Sequence, residues 1–75
     1  MRVIITWLHG EDVVLLRRYD DSGKLVGEET YKGVRLLDIR TPVTIPSTLM
    51  SGVSVYIVAG DARAEKKNSI LVVRS

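Results

Sequence analysis

The stretch that decides the fold is VVLLRRYDDSGKLVGEETYKG, residues 13–33, in which two runs of strand-forming residues flank a polar tetrapeptide. Val, Leu, Tyr and Thr are common in the flanking runs, as is typical of β-strands. The tetrapeptide DDSG at residues 20–23 favours a type I turn followed by a glycine in the left-handed region, which closes a bulged hairpin. This turn predicts that Tyr19 lies opposite Leu25.

A second turn follows at Lys32-Gly33, where glycine can supply the positive φ of a two-residue hairpin turn. Residues 34–40 are then predicted to run back beside the hairpin and complete a three-stranded antiparallel meander. Counting alternate residues from the first turn places Val13 opposite Tyr31 and assigns each side chain to one of two faces.

Similar strand signals recur along the whole chain, separated by Gly, Asp and Pro. The predicted strands cover residues 2–8, 12–19, 24–31, 34–40, 53–59 and 69–74. Residues 41–45 extend the fourth strand, and the prolines beside them place it at an edge or a bend. We therefore predict an all-β fold: a small antiparallel barrel or sandwich of about six short strands, connected mainly by hairpins, in a single domain over residues 1–75.

The predicted strands carry aliphatic side chains on both faces. A chain of 75 residues holds a single core and cannot bury both sides of every strand. Either the sheet curls into a barrel with a second minor cluster, or one face packs against another copy of the chain. We expect the second arrangement, a homo-oligomer, because contiguous exposed apolar patches mark interaction surfaces. The predicted interface residues are Val3, Ile5, Trp7, Tyr31 and Tyr56.

The composition gives little support for a catalytic site or a metal site. The chain has no cysteine, so it forms no disulfide and no thiolate zinc site, and His9 is the single histidine. Glu28 and Glu29 are adjacent on a predicted strand and point to opposite faces, so they cannot act as a carboxylate pair. We predict a non-enzyme with no catalytic residue, no metal site and no cofactor, and infer no small-molecule substrate.

No apolar stretch approaches the ~20 residues that cross a bilayer, so no membrane association is expected. We see no signal peptide at the start of the chain, and the expected location is cytoplasmic. The net charge of +2 permits an anionic partner without requiring one.

Nucleic acid is the anionic partner that the basic residues suggest. Residues 60–68 are predicted to form a long basic loop between the last two strands. Long loops on rigid scaffolds often carry functional residues. Arginines on the strands would neutralise phosphates, and a tyrosine or Trp7 would be available for base stacking. The predicted nucleic-acid-binding residues are Arg17, Arg18, Tyr19, Arg35, Arg40, Arg63, Lys66 and Lys67.

Acidic residues near the strand arginines argue against the nucleic-acid hypothesis. The predicted register places Glu28 near Arg18 and Arg35, and it places Glu29 and Asp38 near other strand arginines, where cross-strand ion pairs would occupy the cations. The sequence thus supports a non-catalytic β binding module, nucleic-acid binding in one hypothesis. In the alternative it is a structural protein that assembles with itself or another protein, without nucleic acid. The two hypotheses are compatible, because oligomers of weak modules gain avidity.

Overall fold

The computed structural model describes residues 1–47 and 50–75, and in one strand it describes the backbone but not the side chains of Leu36 and Leu37. Within these ranges there is no α-helix, and a single 3-10 turn spans His9–Glu11. The rest of the regular structure is β, which confirms the predicted fold class. The strands are β1 (Arg2–Leu8), β2 (Val13–Tyr19), β3 (Leu25–Lys32), β4 (Leu36–Arg40), β5 (Val43–Thr44), β6 (Val53–Ala59), β7 (Arg63–Lys67) and β8 (Ile70–Arg74).

The eight strands form two sheets that fit a sandwich. The larger sheet has the order β3-β2-β1-β6-β5 and is antiparallel throughout. The smaller sheet has the order β4-β8-β7 and contains one parallel pair, β4 with β8. The molecule measures 32 × 27 × 20 Å, and the shortest dimension is that of two sheet layers about 10 Å apart with their side chains.

The first predicted turn is confirmed. The Gly23 amide donates to the Asp20 carbonyl at 3.0 Å, and Gly23 has a φ of +87°. One Asp20 carboxylate oxygen accepts from the Ser22 amide and hydroxyl and from the Lys24 amide. The hydrogen bond from the Ser22 hydroxyl, with these backbone amides, holds the pKa of Asp20 below its ordinary value.

The predicted pairing register of β2 with β3 is wrong by one residue beyond a β-bulge next to this turn. Tyr19 lies opposite Leu25 as predicted, but the next residue, Arg18, lies opposite Gly27, so Val26 is the extra residue of the bulge. Beyond it, Val14 rather than Val13 pairs with Tyr31. Beyond the bulge, each β3 side chain therefore lies, relative to the side chains of β2, on the face opposite to the one that simple alternation predicts.

The predicted three-stranded meander is wrong, because the chain leaves the first sheet after β3. Gly33 has the expected positive φ of +74°, yet β4 pairs with β8 and not with β3. The Val34 amide donates to the Asp12 carbonyl at 3.1 Å, and the Arg35 amide donates to the Ser69 carbonyl at 2.8 Å. Val34 is fully buried, so this crossing residue is fixed in the core between the sheets.

The predicted loop over residues 60–68 is largely a strand. β7 occupies its centre and forms a tight hairpin with β8, in which Asn68 adopts a φ of +56°. Ala62 is fully buried and Ala64 packs against the core, whereas the charged residues between and after them are exposed. Alanine has a weak strand propensity, which is why this alternation reads as a polar loop in the sequence.

The core is a single aliphatic layer between the two sheets. The larger sheet contributes residues from β1, β2 and β6, and the smaller sheet contributes residues from β8. Trp7, Tyr31, Ile39, Val43, Tyr56 and Ala64 are partly buried against this layer. The fully buried residues are Val3, Ile5, Val14, Leu16, Val34, Val58, Ala62, Leu71 and Val73.

Two adjacent valines of β8 should differ sharply in their contribution to stability. Val73 is fully buried in the core and Val72 lies on the outer face. Val73→Ala should lower the free energy of unfolding by about 2 kcal/mol through lost burial and a residual cavity. Val72→Ala, the matched control, should lower it by less than about 1 kcal/mol. Urea denaturation measures both, and equal losses would contradict this assignment of faces.

Candidate interaction surfaces

The outer face of the five-stranded sheet is a continuous aliphatic surface. It faces away from the core and is centred on Thr6, which lies between Leu15 on β2 and Val55 on β6. Each of its side chains keeps part of its surface exposed. We call this surface the aliphatic face; its apolar residues are Ile4, Leu8, Val13, Leu15, Val53, Val55 and Ile57.

The aliphatic face is not formed by the interface residues predicted from the sequence. Val3 and Ile5 are fully buried in the core. Trp7, Tyr31 and Tyr56 pack against the same core from its margin. Sequence alternation separates the two apolar faces of β1 correctly, but it does not show which of them the second sheet covers.

Two of the predicted nucleic-acid residues lie at the rim of the aliphatic face. Arg17 Nε donates to a Glu28 carboxylate oxygen at 2.9 Å across the β2–β3 pair. Tyr19 lies opposite Arg2 at the end of the same face. The Arg17–Glu28 pair gives this rim a cation and an anion next to each other.

Arg18 is a structural clamp between the two sheets. Its guanidinium donates to the Asp61 carboxylate at 2.8 Å, to the Ala62 carbonyl at 2.5 Å and to the Glu29 carboxylate at 3.2 Å. Its side chain is 21% exposed, and it lies over Gly27, where a Cβ would be 3.7 Å from its Cδ. These contacts fix the entry to β7 against β2 and leave Arg18 little capacity to bind a ligand.

Arg35 and Lys66, which were also predicted to bind nucleic acid, contact other residues of the protein. Arg35 Nε donates to the Asp12 carboxylate at 3.3 Å. Lys66 Nζ donates to the Lys32 carbonyl at 2.8 Å, which ties the two sheets at the end of β3. The predicted proximity of Glu28 to Arg35 and Arg18 is wrong, because β4 lies in the other sheet and the bulge changes the register of β3.

Three arginines form a row on the outer face of the three-stranded sheet. Arg74 on β8 lies directly opposite Arg40 on β4 and Arg63 on β7. All three are exposed. Arg40 and Arg63 are predicted sites that the fold brings together, whereas Arg74 is missed by the sequence reasoning. Its alternation with the buried Val73 is visible in the sequence, but its two neighbours are known only from the sheet order. We call Arg40, Arg74 and Arg63 the arginine row.

Acidic residues lie in the next cross-strand row. Asp38 and Glu65 flank Val72 there. Asp38 accepts from Arg40 Nε at 3.2 Å, and Glu65 pairs with Arg74 at 3.5 Å. Among the residues that the structure describes, Arg63 has no ion-pair partner. Lys67, in the following row of β7, is also exposed.

The fold also brings His9 to Ser54. His9 Nε2 and Ser54 Oγ share a hydrogen bond of 2.7 Å, and the His9 ring lies 4.1 Å from the Trp7 ring, centroid to centroid. Trp7 Nε1 is buried and lacks a hydrogen-bond partner within the described parts of the chain. A nucleophile–base pair requires a third group that orients the base. No group of three His, Cys, Asp or Glu residues that could hold a metal ion occurs in residues 1–47 and 50–75.

The chain was compared with known proteins by sequence and by structure. No protein-family model, curated protein or solved structure matches it. In the described ranges, no helix has the length and apolarity needed to cross a membrane. The aliphatic face and the arginine row are therefore the features of the molecule that bear on its function.

The adjacent arginines of β2 allow a matched test of the clamp. Arg18→Gln should lower the free energy of unfolding by about 2 kcal/mol, since it removes a charged donor from the Ala62 carbonyl and two carboxylates. Arg17→Gln removes only a half-exposed ion pair and should cost less than about 1 kcal/mol. Urea denaturation of both variants measures the difference. A cost for Arg17→Gln as large as that for Arg18→Gln would contradict the clamp.

Tyr31 should make stability fall at alkaline pH. Burial, together with its hydrogen bond to the Glu29 carboxylate, raises the pKa of Tyr31 from 10.0 to about 12. Between these values the unfolded chain loses the phenol proton while the folded chain keeps it, so the free energy of unfolding decreases as pH rises. Tyr31→Phe should flatten this decrease in urea denaturation series across that range. Tyr19→Phe is the control and should keep the slope; a slope unchanged in Tyr31→Phe would contradict the assignment.

Proposed function

We propose that this protein is a non-catalytic assembly module that pairs with a second copy of itself through the aliphatic face. One observation carries the proposal: the central strands of the larger sheet are aliphatic on both sides, and the smaller sheet covers only the inner side. Sheets that are apolar on both faces normally have a layer packed on each. The aliphatic face therefore needs a second layer.

The aliphatic face supplies most of the area that a specific contact requires. Its three strands, β2, β1 and β6, lie about 4.8 Å apart and are about seven residues long, which gives a surface of about 14 Å by 23 Å, or roughly 330 Å² before side-chain relief is counted. A specific interface requires about 500 Å² on each partner. Two copies whose contact also takes in the polar rim on β3 would meet this requirement.

The shape and chemistry of the face favour a second copy as the partner. A pleated sheet packs well on another sheet of the same twist, about 10 Å away and rotated by about 30°. In a two-fold contact the central Thr6 would approach the Thr6 of the other copy, and a hydroxyl can both donate and accept. The Arg17–Glu28 pair at the rim gives each copy both charges to offer the other.

Substitution at the centre of the face tests the proposal. Light scattering after size exclusion at about 100 μM should give twice the chain mass of 8.4 kDa. Val55→Lys places a charge in the middle of the contact, where it would be desolvated without a partner, and should give a folded monomer.

Val72→Lys is the matched control, because it makes the same change on the outer face of the smaller sheet. It should remain dimeric, and circular dichroism should show native β structure in both variants. A monomeric parent chain, or a Val55→Lys variant that still dimerises, would disprove the proposal. Binding of the face to a different protein would appear as the first of these results.

A further inference from the structure

We infer that the arginine row binds the phosphodiester backbone of a nucleic acid. The row lies on the smaller sheet, so the inference goes beyond self-assembly through the larger sheet and does not depend on it. Three arginines lie in one row across three neighbouring strands, where each end member is directly opposite Arg74.

Charge balance on this face points to an anionic ligand. Like charges directly opposite each other destabilise a sheet. The face carries Arg40, Arg74, Arg63 and Lys67 against only Asp38 and Glu65, which leaves it a net charge of +2. This local excess equals the net charge of the entire chain. A bound anion would relieve the repulsion that the three arginines impose on one another.

The arginines of the row are free to bind. The Arg40 and Arg74 side chains are 67% and 60% exposed, and exposed ion pairs contribute little stability. Arg40 uses only Nε on Asp38, and Arg74 uses only one terminal nitrogen on Glu65. Each guanidinium has five donors, so both keep a pair of N–H groups for phosphate oxygens. Arg18, by contrast, is 21% exposed and has three of its five donors committed to the clamp.

The geometry favours a linear polyanion over a small ion. Neighbouring strands lie about 4.8 Å apart, so the row is about 10 Å long, and a strand of duplex carries about three phosphates over that length. The row runs across an open sheet face instead of surrounding a cavity. An open pocket in the described part of the chain lies elsewhere, lined by Met1, Arg2 and residues 20–23.

The smaller sheet offers no base-stacking surface. β4, β7 and β8 contain no aromatic residue, and Trp7, Tyr19, Tyr31 and Tyr56 all belong to the larger sheet. Recognition would therefore use phosphates alone, without the stacking that the sequence suggested and without preference for base sequence. Such binding is dominated by counterion release and weakens steeply with salt.

Fluorescence anisotropy with a labelled 12-nucleotide oligothymidine tests the inference. The parent chain should bind at about 50 mM salt and lose affinity linearly on a log–log salt plot. Arg63→Gln removes a cation that has no ion pair within the described residues, so it leaves no carboxylate unpaired. It should weaken binding about tenfold at that salt concentration and reduce the salt slope by about 0.7, the value for one phosphate contact on a single strand.

Arg2→Gln is the matched control, with the same change of charge at an exposed position on the larger sheet. It should bind within about twofold of the parent. No binding by the parent chain at low salt, or equal weakening by Arg2→Gln and Arg63→Gln, would overturn the inference. So would binding to vesicles of anionic phospholipid without binding to the oligonucleotide, because the row would then serve a membrane surface.

Anisotropy and oligomeric state report on different faces of the molecule. Val55→Lys leaves the arginine row intact and should still bind the oligonucleotide if it is monomeric. Arg63→Gln leaves the aliphatic face intact and should keep the mass of the parent chain. Failure of one proposal is thus distinguishable from failure of the other.

Discussion

The contact between the inner faces of the two sheets is the constraint on which the rest of the structure depends. The chain has no disulfide, and fully buried aliphatic residues on β1, β2, β6 and β8, with Val34 and Ala62 from the connections, form its core. Small domains of this kind have a net stability of only a few kcal/mol. Two of the three connections that cross between the sheets are tied down, the one from β3 to β4 by the burial of Val34 and the one from β6 to β7 by the Arg18 clamp. The aliphatic face and the arginine row lie on the outer faces of the two sheets that enclose this core.

The fold class and the first hairpin could be predicted from local sequence patterns, because turn residues and the alternation of strand residues involve only neighbours along the chain. The bulge at Val26 was not predictable, since the same residues fit a regular register equally well. The parallel pairing of β4 with β8 was also not predictable, because Lys32-Gly33 fits a hairpin turn and the contacts that direct the chain elsewhere, the burial of Val34 and its backbone hydrogen bond to Asp12, join distant residues. β7 was missed because its inward residue is an alanine.

The candidate surfaces show the same division between local and non-local information. The two apolar sides of β1 could be predicted from alternation, but the side that remains open is fixed by the position of the smaller sheet. Arg40 and Arg63 were candidates by charge alone, as were Arg17 and Arg18. Only the sheet order separates them, since it aligns the first two with Arg74 and commits the second two to carboxylates of β3 and the loop before β7.

The parallel pair also bears on how the chain is made. β8 is the central strand of the smaller sheet, so β4 and β7 have no neighbour to bond until residues 70–74 have left the ribosome. The larger sheet, complete once β6 has emerged, must wait with its inner aliphatic side facing water. Strand pairing between distant segments is slow, and bare apolar sheet surface in a waiting intermediate invites aggregation. The closing step of folding therefore waits for β8, because its pairing with β4 and β7 completes the sheet that covers the exposed interior.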